Sequence, residues 1–304
     1  MATAVGQLPI EHNVPIPTWF RIGGRADRLA RPRSIDELRS CLEIDPDLRI
    51  LGDGANLLVD DDGIDRLVVR LDHADWKSME FDSRSGVVRA GAGADFAKVI
   101  TGAVRKGLAG LEGLTGIPAT IGGATVMNAG GRFGEIASCI ARVHGIDHAG
   151  RSRTFERADI PYTYRSCGLN GIVVTAVEFH LTPDDPAAVR ARLIDCMAYK
   201  RDSQPMGANS AGCCFKNPVL PRDIPDIGAA GTRISAGLLI DRAGCKGLSV
   251  GGATVSPRHA NFFTTSSDAK ARHVIDLMSL VQHRVADAFG IMLDREVVVW
   301  SRSP

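Results

Sequence analysis

Apolar and polar positions along the first hundred residues alternate between short runs and helical stripes. Ser34 followed by Glu37 has capping-box spacing ahead of Leu38, Cys41 and Leu42, which predicts a helix. Residues 48–51 are a short apolar run, a strand that delivers the chain into Gly52-Asp53-Gly54. Residues 67–71 predict a second strand. The polar stretches 72–77 and 82–85 predict a hairpin region leading into residues 87–90. Phe96, Val99, Ile100, Ala103 and Val104 then recur at helical spacing, and Gly107 predicts the stop.

After that helix the pattern changes. Seven glycines lie between Gly113 and Gly134, a density that would cost an ordinary helix ~1 kcal/mol per residue relative to alanine, so this segment is expected to be loop built for main-chain contact. Residues 172–179 return to a buried-strand pattern. Pro183, Pro186 and the helix-like residues 187–201 read as a boundary and a linker. Loop-rich sequence follows to Thr265. Val274, Leu277, Val281, Val285 and Phe289 then form one apolar stripe, a helix expected to be capped near Ser267 and ended by Gly290. Residues 292–300 predict a terminal strand. No internal repeat is present, which removes solenoid and propeller architectures.

Composition narrows the class without naming the chemistry. The chain has 304 residues, enough for two or three compact units, with 44% hydrophobic and 23% charged residues, as in globular proteins. Lys and Arg number 36 against 35 for Asp and Glu, a net charge of +1, so no global field exists to hold nucleic acid or an acidic membrane. No apolar run reaches the ~18 residues of a membrane span, and the first ten residues lack an export pattern; a cytoplasmic enzyme is expected. The seven cysteines form no CxxC pair, so neither a disulfide scaffold nor a metal site is expected.

Two segments have the composition of a diphosphate cradle. One is Gly52-Asp53-Gly54-Ala55-Asn56-Leu57; the other runs through Gly116, Ile117, Pro118, Thr120, Gly122 and Gly123 to Asn128-Ala129-Gly130. Glycine lets backbone N–H groups approach phosphate oxygens, and main-chain binding needs no net positive charge. Neither segment is a Walker loop or a GxGxxG fingerprint, which disfavours a Rossmann domain. By composition alone these glycines fit tight turns equally well. Two separated cradles exceed what one mononucleotide needs and point to an extended ligand such as FAD.

Read in order, the motifs resemble the UDP-N-acetylenolpyruvoylglucosamine reductase (UDP-N-acetylmuramate dehydrogenase) family over nearly the whole chain. They are Thr18-Trp19-Phe20-Arg21-Ile22-Gly23-Gly24, the loop 52–58, the segment 113–130, Tyr164-Arg165-Ser166, Gly212-Cys213-Cys214-Phe215-Lys216-Asn217-Pro218, residues 237–247, residues 255–262 and Glu296. The length is similar to the family form without an extra substrate-covering loop. The resemblance implies an α+β fold: an FAD-binding domain of the vanillyl-alcohol-oxidase type in two α/β subdomains, residues 1–72 and 73–185, then an α+β substrate domain, residues 186–304.

It also implies reduction of the enolpyruvyl ether of a UDP-sugar to UDP-N-acetylmuramate for peptidoglycan synthesis, with NADPH reducing FAD and a monomeric enzyme favoured. Arg165 is then the guanidinium that pairs with the substrate carboxylate. Cys213 stands where many members have serine. A thiol, with an ordinary pKa of ~8.5, is a stronger acid than an alcohol and keeps the proton-donor role. Cys214, offset by one, is expected to pack. Glu296 is the acid or hydrogen-bond donor to the developing enolate, placed in a strand with Asp294, Val298 and Trp300 on its face. Tyr164, Lys216, Asn217 and His259 are implied substrate contacts.

By residue type alone the plainer readings are a surface salt bridge for Arg165, an edge residue for Glu296, loop bracing for Lys216 and Asn217, and a structural His259. The absence of His from residues 113–142 predicts non-covalent FAD. The competing readings are an FAD-dependent sugar or hydroxy-acid dehydrogenase of the same fold, and a non-catalytic UDP-sugar-binding homologue.

Overall fold

The computed structural model describes residues 8–302. They form two compact units. The first is built from the chain up to Val14, residues 26–53 and residues 66–200; the second takes residues 15–25, residues 54–65 and the chain after Lys200.

In the first unit, β1 (Ile10–Pro15), β2 (Arg25–Ala30), β5 (Ile64–Val69) and the two-residue β3 (Arg49–Ile50) make a sheet in the order β1-β2-β5-β3. Helix α1 (Ile35–Ile44) begins as its capping spacing requires, with the Ser34 hydroxyl accepting from the Glu37 amide at 3.2 Å. A second, antiparallel sheet contains β6 (Met79–Asp82), β7 (Val87–Gly91), and the strands Ile172–His180, Ile140–Asp147 and Ser152–Glu156. The predicted hairpin lies between β6 and β7, where the Asp82 carboxylate accepts from the Arg84 amide at 2.9 Å and the Ser85 hydroxyl at 2.7 Å. Helix α2 (Phe96–Arg105) buries all five stripe residues in the core, and Gly107 follows it at φ 67°.

Two expectations about this unit are corrected. The glycine-dense segment is not loop throughout: Ile121–Val126 forms a short helix, α3. Its Gly122 is where it is for contact. A Cβ there would stand 3.1 Å from Ala92 Cβ and 3.2 Å from Ala92 O, so glycine lets the helix lie against the end of β7, where the Gly122 amide donates to that carbonyl at 2.8 Å. The gain in packing outweighs a propensity cost of ~1 kcal/mol. Nor are residues 187–201 a linker. They belong to helix α4 (Pro186–Ser203), which buries Val189 and Cys196 and ties Arg192 to Glu112 at 2.8 Å. Contacts therefore divide the chain after Lys200, and the cuts at 72/73 and 185/186 both fall within the first unit.

The second unit packs α5 (Ala236–Arg242) and α6 (Ala271–Phe289) with the strands Ser249–Val250, Ala253–Val255 and Phe263–Thr265. Val274, Leu277, Val281 and Val285 are fully buried, as the stripe predicts, and Gly290 ends α6 at φ 70°. The cap near Ser267 is not used. The helix starts at Ala271, and the carboxylate of Asp61 accepts from the Ala271 and Arg272 amides at 2.9 and 3.0 Å. The terminal strand is shorter than expected. Only Val298–Trp300 is regular, pairing in parallel with β4 (Leu57–Val59), because residues 292–297 are engaged elsewhere.

Candidate active site

In the first unit the two glycine segments meet. A Cβ on Gly52 would lie 2.9 Å from Thr120 Oγ1, so the strand-borne loop and the turn into α3 share one surface. Thr120 is the N-cap of α3, its hydroxyl accepting from the Gly123 amide at 3.3 Å. Ile117, Pro118, Ala119 and Thr120 are half-buried, and Asp53 is exposed. The hydroxyl of Thr125 is fully buried and has no hydrogen-bond partner among the described residues. A surface of glycine main chain and the Thr120 hydroxyl, over the unpartnered Thr125 hydroxyl of the same helix, suits a diphosphate-bearing ligand, and these residues fit FAD. Cys139, the thiol of residues 113–142, is buried and donates to the Gly110 carbonyl at 3.2 Å.

Asn128 behaves differently from its glycine neighbours. Its side chain is fully buried and spends both polar groups on backbone, Nδ2 donating to the Thr163 carbonyl at 3.0 Å and Oδ1 accepting from the Ala137 amide at 3.3 Å. Thr163 and Ser166 exchange backbone hydrogen bonds of 2.9 and 3.2 Å, which leaves Tyr164 and Arg165 as the tip of a two-residue turn. Arg165 sits at φ 60°, with its guanidinium carbon 4.8 Å from the Tyr164 ring centre.

One residue of this unit escaped the sequence reading. Lys200 is only 7% exposed and donates to the Thr115 carbonyl, at the entry to the second glycine segment. Burial lowers its pKa to about 8, partly offset by Cys196. Val189, Cys196 and Lys200 are the buried face of α4, so the spacing could have revealed it.

In the second unit the segment that carries Cys213 runs between two other segments. Cys213 bridges to Phe262, and Phe215 bridges to Arg295, each antiparallel. The Glu296 amide donates to the Cys214 carbonyl at 2.7 Å, and the Lys216 amide to the Asp294 carbonyl at 2.9 Å. Thus Cys213 and Glu296 stand on adjacent extended segments. Cys213 is half-buried, whereas Cys214 is fully buried and its thiol pKa is pushed up by desolvation, as packing predicts. Glu296 is half-buried, on irregular backbone rather than in a strand.

The latter part of the first glycine loop also belongs to this unit. Asn56 Nδ2 donates to the Glu296 carbonyl at 3.0 Å, and the Asn56 carbonyl accepts from the Val298 amide at 3.1 Å. Gly54 holds φ 67°, and a Cβ there would lie 2.2 Å from the Pro17 carbonyl oxygen, so the opening motif and this loop need glycine at their contact.

The remaining expected contacts divide. Lys216 is half-buried, and its ammonium has no hydrogen-bond or ion-pair partner among the described residues. Asn217 Oδ1 accepts from the Ala236 amide at 2.9 Å at the start of α5, a bracing role. His259 Nδ1 accepts from the Asn261 amide at 3.3 Å, and burial lowers the ring's pKa, so it stands neutral with its proton on Nε2. Asn261, two residues on, is 2% exposed and clamps the Phe215 backbone. Among the described residues no cluster of metal ligands occurs, and no helix is long and apolar enough to cross a membrane.

Comparison with known proteins agrees with both units. Residues 26–156 match the family of FAD binding domains, and residues 204–300 match the C-terminal domain of UDP-N-acetylenolpyruvoylglucosamine reductase. The UDP-N-acetylenolpyruvoylglucosamine reductase of Moorella thermoacetica is 39% identical, covering 97% of this chain and 94% of its own. That of a Bradyrhizobium species is 36% identical, covering 96% of this chain and 92% of its own. The crystal structure of UDP-N-acetylenolpyruvylglucosamine reductase from Thermus caldophilus is similar with a TM-score of 0.81 at 34% identity, covering 96% of this chain and 99% of that one.

Proposed function

Because the chain belongs to the UDP-N-acetylenolpyruvoylglucosamine reductase family and is an FAD-dependent oxidoreductase of α+β fold that reduces the enolpyruvyl UDP-sugar for peptidoglycan synthesis, we propose that Arg165, Cys213 and Glu296 carry the reaction. NADPH is the electron source in this reading and uses the substrate's own site. The protein acts as a cytoplasmic monomer with non-covalent FAD. In this reading the first unit, with most of α4, provides cofactor binding and the chain after Lys200 provides substrate binding.

FAD, when bound, supplies the hydride that adds to the terminal carbon of the enolpyruvyl group. Gly52, Gly116 and Thr120 would hold it by main chain and hydroxyl, with Asp53, Gly54, Ala55, Leu57, Ile117, Pro118, Gly122, Gly123, Ala129 and Gly130 shaping the same segments. Negative charge then develops at the adjacent carbon and spreads into the carboxylate. The Arg165 guanidinium, charged at every working pH, pairs with that carboxylate and is worth most when charge is greatest. The Cys213 thiol gives its proton to the same carbon, so hydride and proton together complete addition across the double bond. The Glu296 carboxyl hydrogen-bonds the enolate-like oxygen, Lys216 pairs with the substrate's anionic part, and Tyr164 and neutral His259 donate hydrogen bonds to it.

The observation that supports this reading most directly is the adjacency of the Cys213 and Glu296 segments through the 2.7 Å bond from the Glu296 amide to the Cys214 carbonyl. Stopped-flow absorbance in the flavin band tests it. Cys213→Ala should leave reduction by NADPH intact and slow reoxidation by the enolpyruvyl substrate at least tenfold, about 1.4 kcal/mol of barrier. Cys213→Ser should retain much of the rate. Equal loss in both half-reactions would remove Cys213 from the proton-donor role.

A further inference from the structure

The asparagines of the two glycine segments make the same kind of contact in different units. Each donates its amide to a main-chain carbonyl on the segment that carries a proposed catalytic residue. Asn128 Nδ2 donates to Thr163 O at 3.0 Å, one residue before the Tyr164-Arg165 tip, while Cys167 N donates to Val126 O at 3.0 Å just beyond it. Asn56 Nδ2 donates to Glu296 O at 3.0 Å, and Asn56 O takes the Val298 amide at 3.1 Å, so one residue grips both sides of Val297.

Such grips have work to do at Arg165. Its φ of 60° is left-handed, which costs an L-residue ~1 kcal/mol or more and persists only where neighbours over-determine it. Asn128 is itself at φ 43° and is fully buried with both polar groups satisfied, so it is a rigid anchor. An amide suits the task because it donates without charge. A carboxylate would face a carbonyl oxygen without a proton to share, and a longer glutamine would overshoot a 3.0 Å bond.

We infer that Asn56 and Asn128 are positioning residues of the reduction: Asn128 sets Arg165 through the Thr163 carbonyl, and Asn56 sets Glu296 through its own carbonyl. The inference rests on the catalytic roles proposed for Arg165 and Glu296. Because a misplacement of about 1 Å can cost on the order of a hundredfold in rate, removing either donor acts on substrate chemistry rather than on cofactor retention.

The holoenzyme carrying Asn56→Asp, Asn56→Ala or Asn128→Asp tests this with two readouts: FAD affinity from flavin fluorescence, and the separate half-reactions by stopped flow. If the buried carboxylate of Asn128→Asp prevents folding, Asn128→Gly tolerates φ 43° and replaces it. The expected result is FAD affinity and NADPH-driven reduction within about twofold of wild type, with reoxidation by the enolpyruvyl UDP-sugar slowed tenfold or more. Asn128 variants should also bind that substrate more weakly. FAD affinity lost with substrate-driven reoxidation unchanged would make the asparagines cofactor ligands and overturn the inference. So would equal loss in both half-reactions, or no loss in either. If reduced wild-type protein is not reoxidised by this substrate, the functional reading itself falls and takes the inference with it; if wild type responds and the variants keep pace, the inference alone falls.

Discussion

Asn261 and Phe215 are joined by a two-way clamp: the Phe215 amide donates to Asn261 Oδ1 at 2.9 Å, and Asn261 Nδ2 donates back to the Phe215 carbonyl at 2.8 Å. The Asn261 carbonyl adds a third bond from the Cys214 amide at 2.8 Å, so the strip after Cys213 is held by a residue drawn from a different motif. Asn261→Ala leaves a buried donor and a buried acceptor unpaired, at about 1 to 3 kcal/mol each. The expected outcome is a Tm several degrees lower in differential scanning calorimetry of the holoenzyme. An unchanged Tm would remove the clamp from the account.

The cap that Asp61 provides to α6 should be visible locally. Asp61→Ala is expected to cost about 1 kcal/mol, with Asp61→Ser recovering part of it. Hydrogen exchange at the Ala271 and Arg272 amides, the two donors to that carboxylate, should quicken in the alanine variant while the middle of α6 stays protected. Uniform quickening along the helix would show that the cap is not what anchors its start.

Thiol chemistry should single out one cysteine. Cys213 is half-buried, while the other six cysteines are buried, and desolvation pushes Cys41 up to about 12. Iodoacetamide at pH 8 is expected to modify one thiol per native chain, at Cys213 by peptide mass mapping, and to abolish turnover. Saturating substrate should protect it. Labelling spread over several cysteines contradicts the burial pattern.

Lys200 gives a pH dependence with a defined sign. Its folded pKa of about 8 lies below the unfolded value of 10.5, so above pH 8 the unfolded chain keeps a proton that the native chain has released, and stability contributed by this site rises with pH. Buried Cys41 opposes it, because a thiol raised from 9.0 to about 12 costs stability above pH 9. The window that isolates the lysine is therefore pH 8 to 9. Across it, wild type should gain in Tm on Lys200→Met. A constant difference between the two proteins would show that the ammonium is not desolvated as the fold implies.

Much of the local structure was legible because short-range physics decides it. The α1 cap at Ser34, the buried stripes of α2 and α6, the Asp82 turn and the packing of Cys214 each depend on residues a few positions apart. Where the reading went astray, a distant partner had altered the local balance. Ala92 makes room for a glycine-bearing helix at Ile121–Val126, Asp61 replaces the cap expected at Ser267, and the segment beside Cys214 takes up residues 292–297 and shortens the terminal strand.

The order of the motifs and the family they indicate were present in the linear chain, because residue type and spacing carry them, and the roles proposed for Arg165, Cys213 and Glu296 follow from that family resemblance. What only the tertiary structure decided is which groups those residues lean on. Asn56 reaches Glu296 across 240 positions, Asn128 reaches Thr163 across 35, and Lys200 reaches Thr115 across 85. A hydrogen bond acts over about 3 Å and is indifferent to sequence separation, so no local pattern could announce these partners before the backbone brought them together.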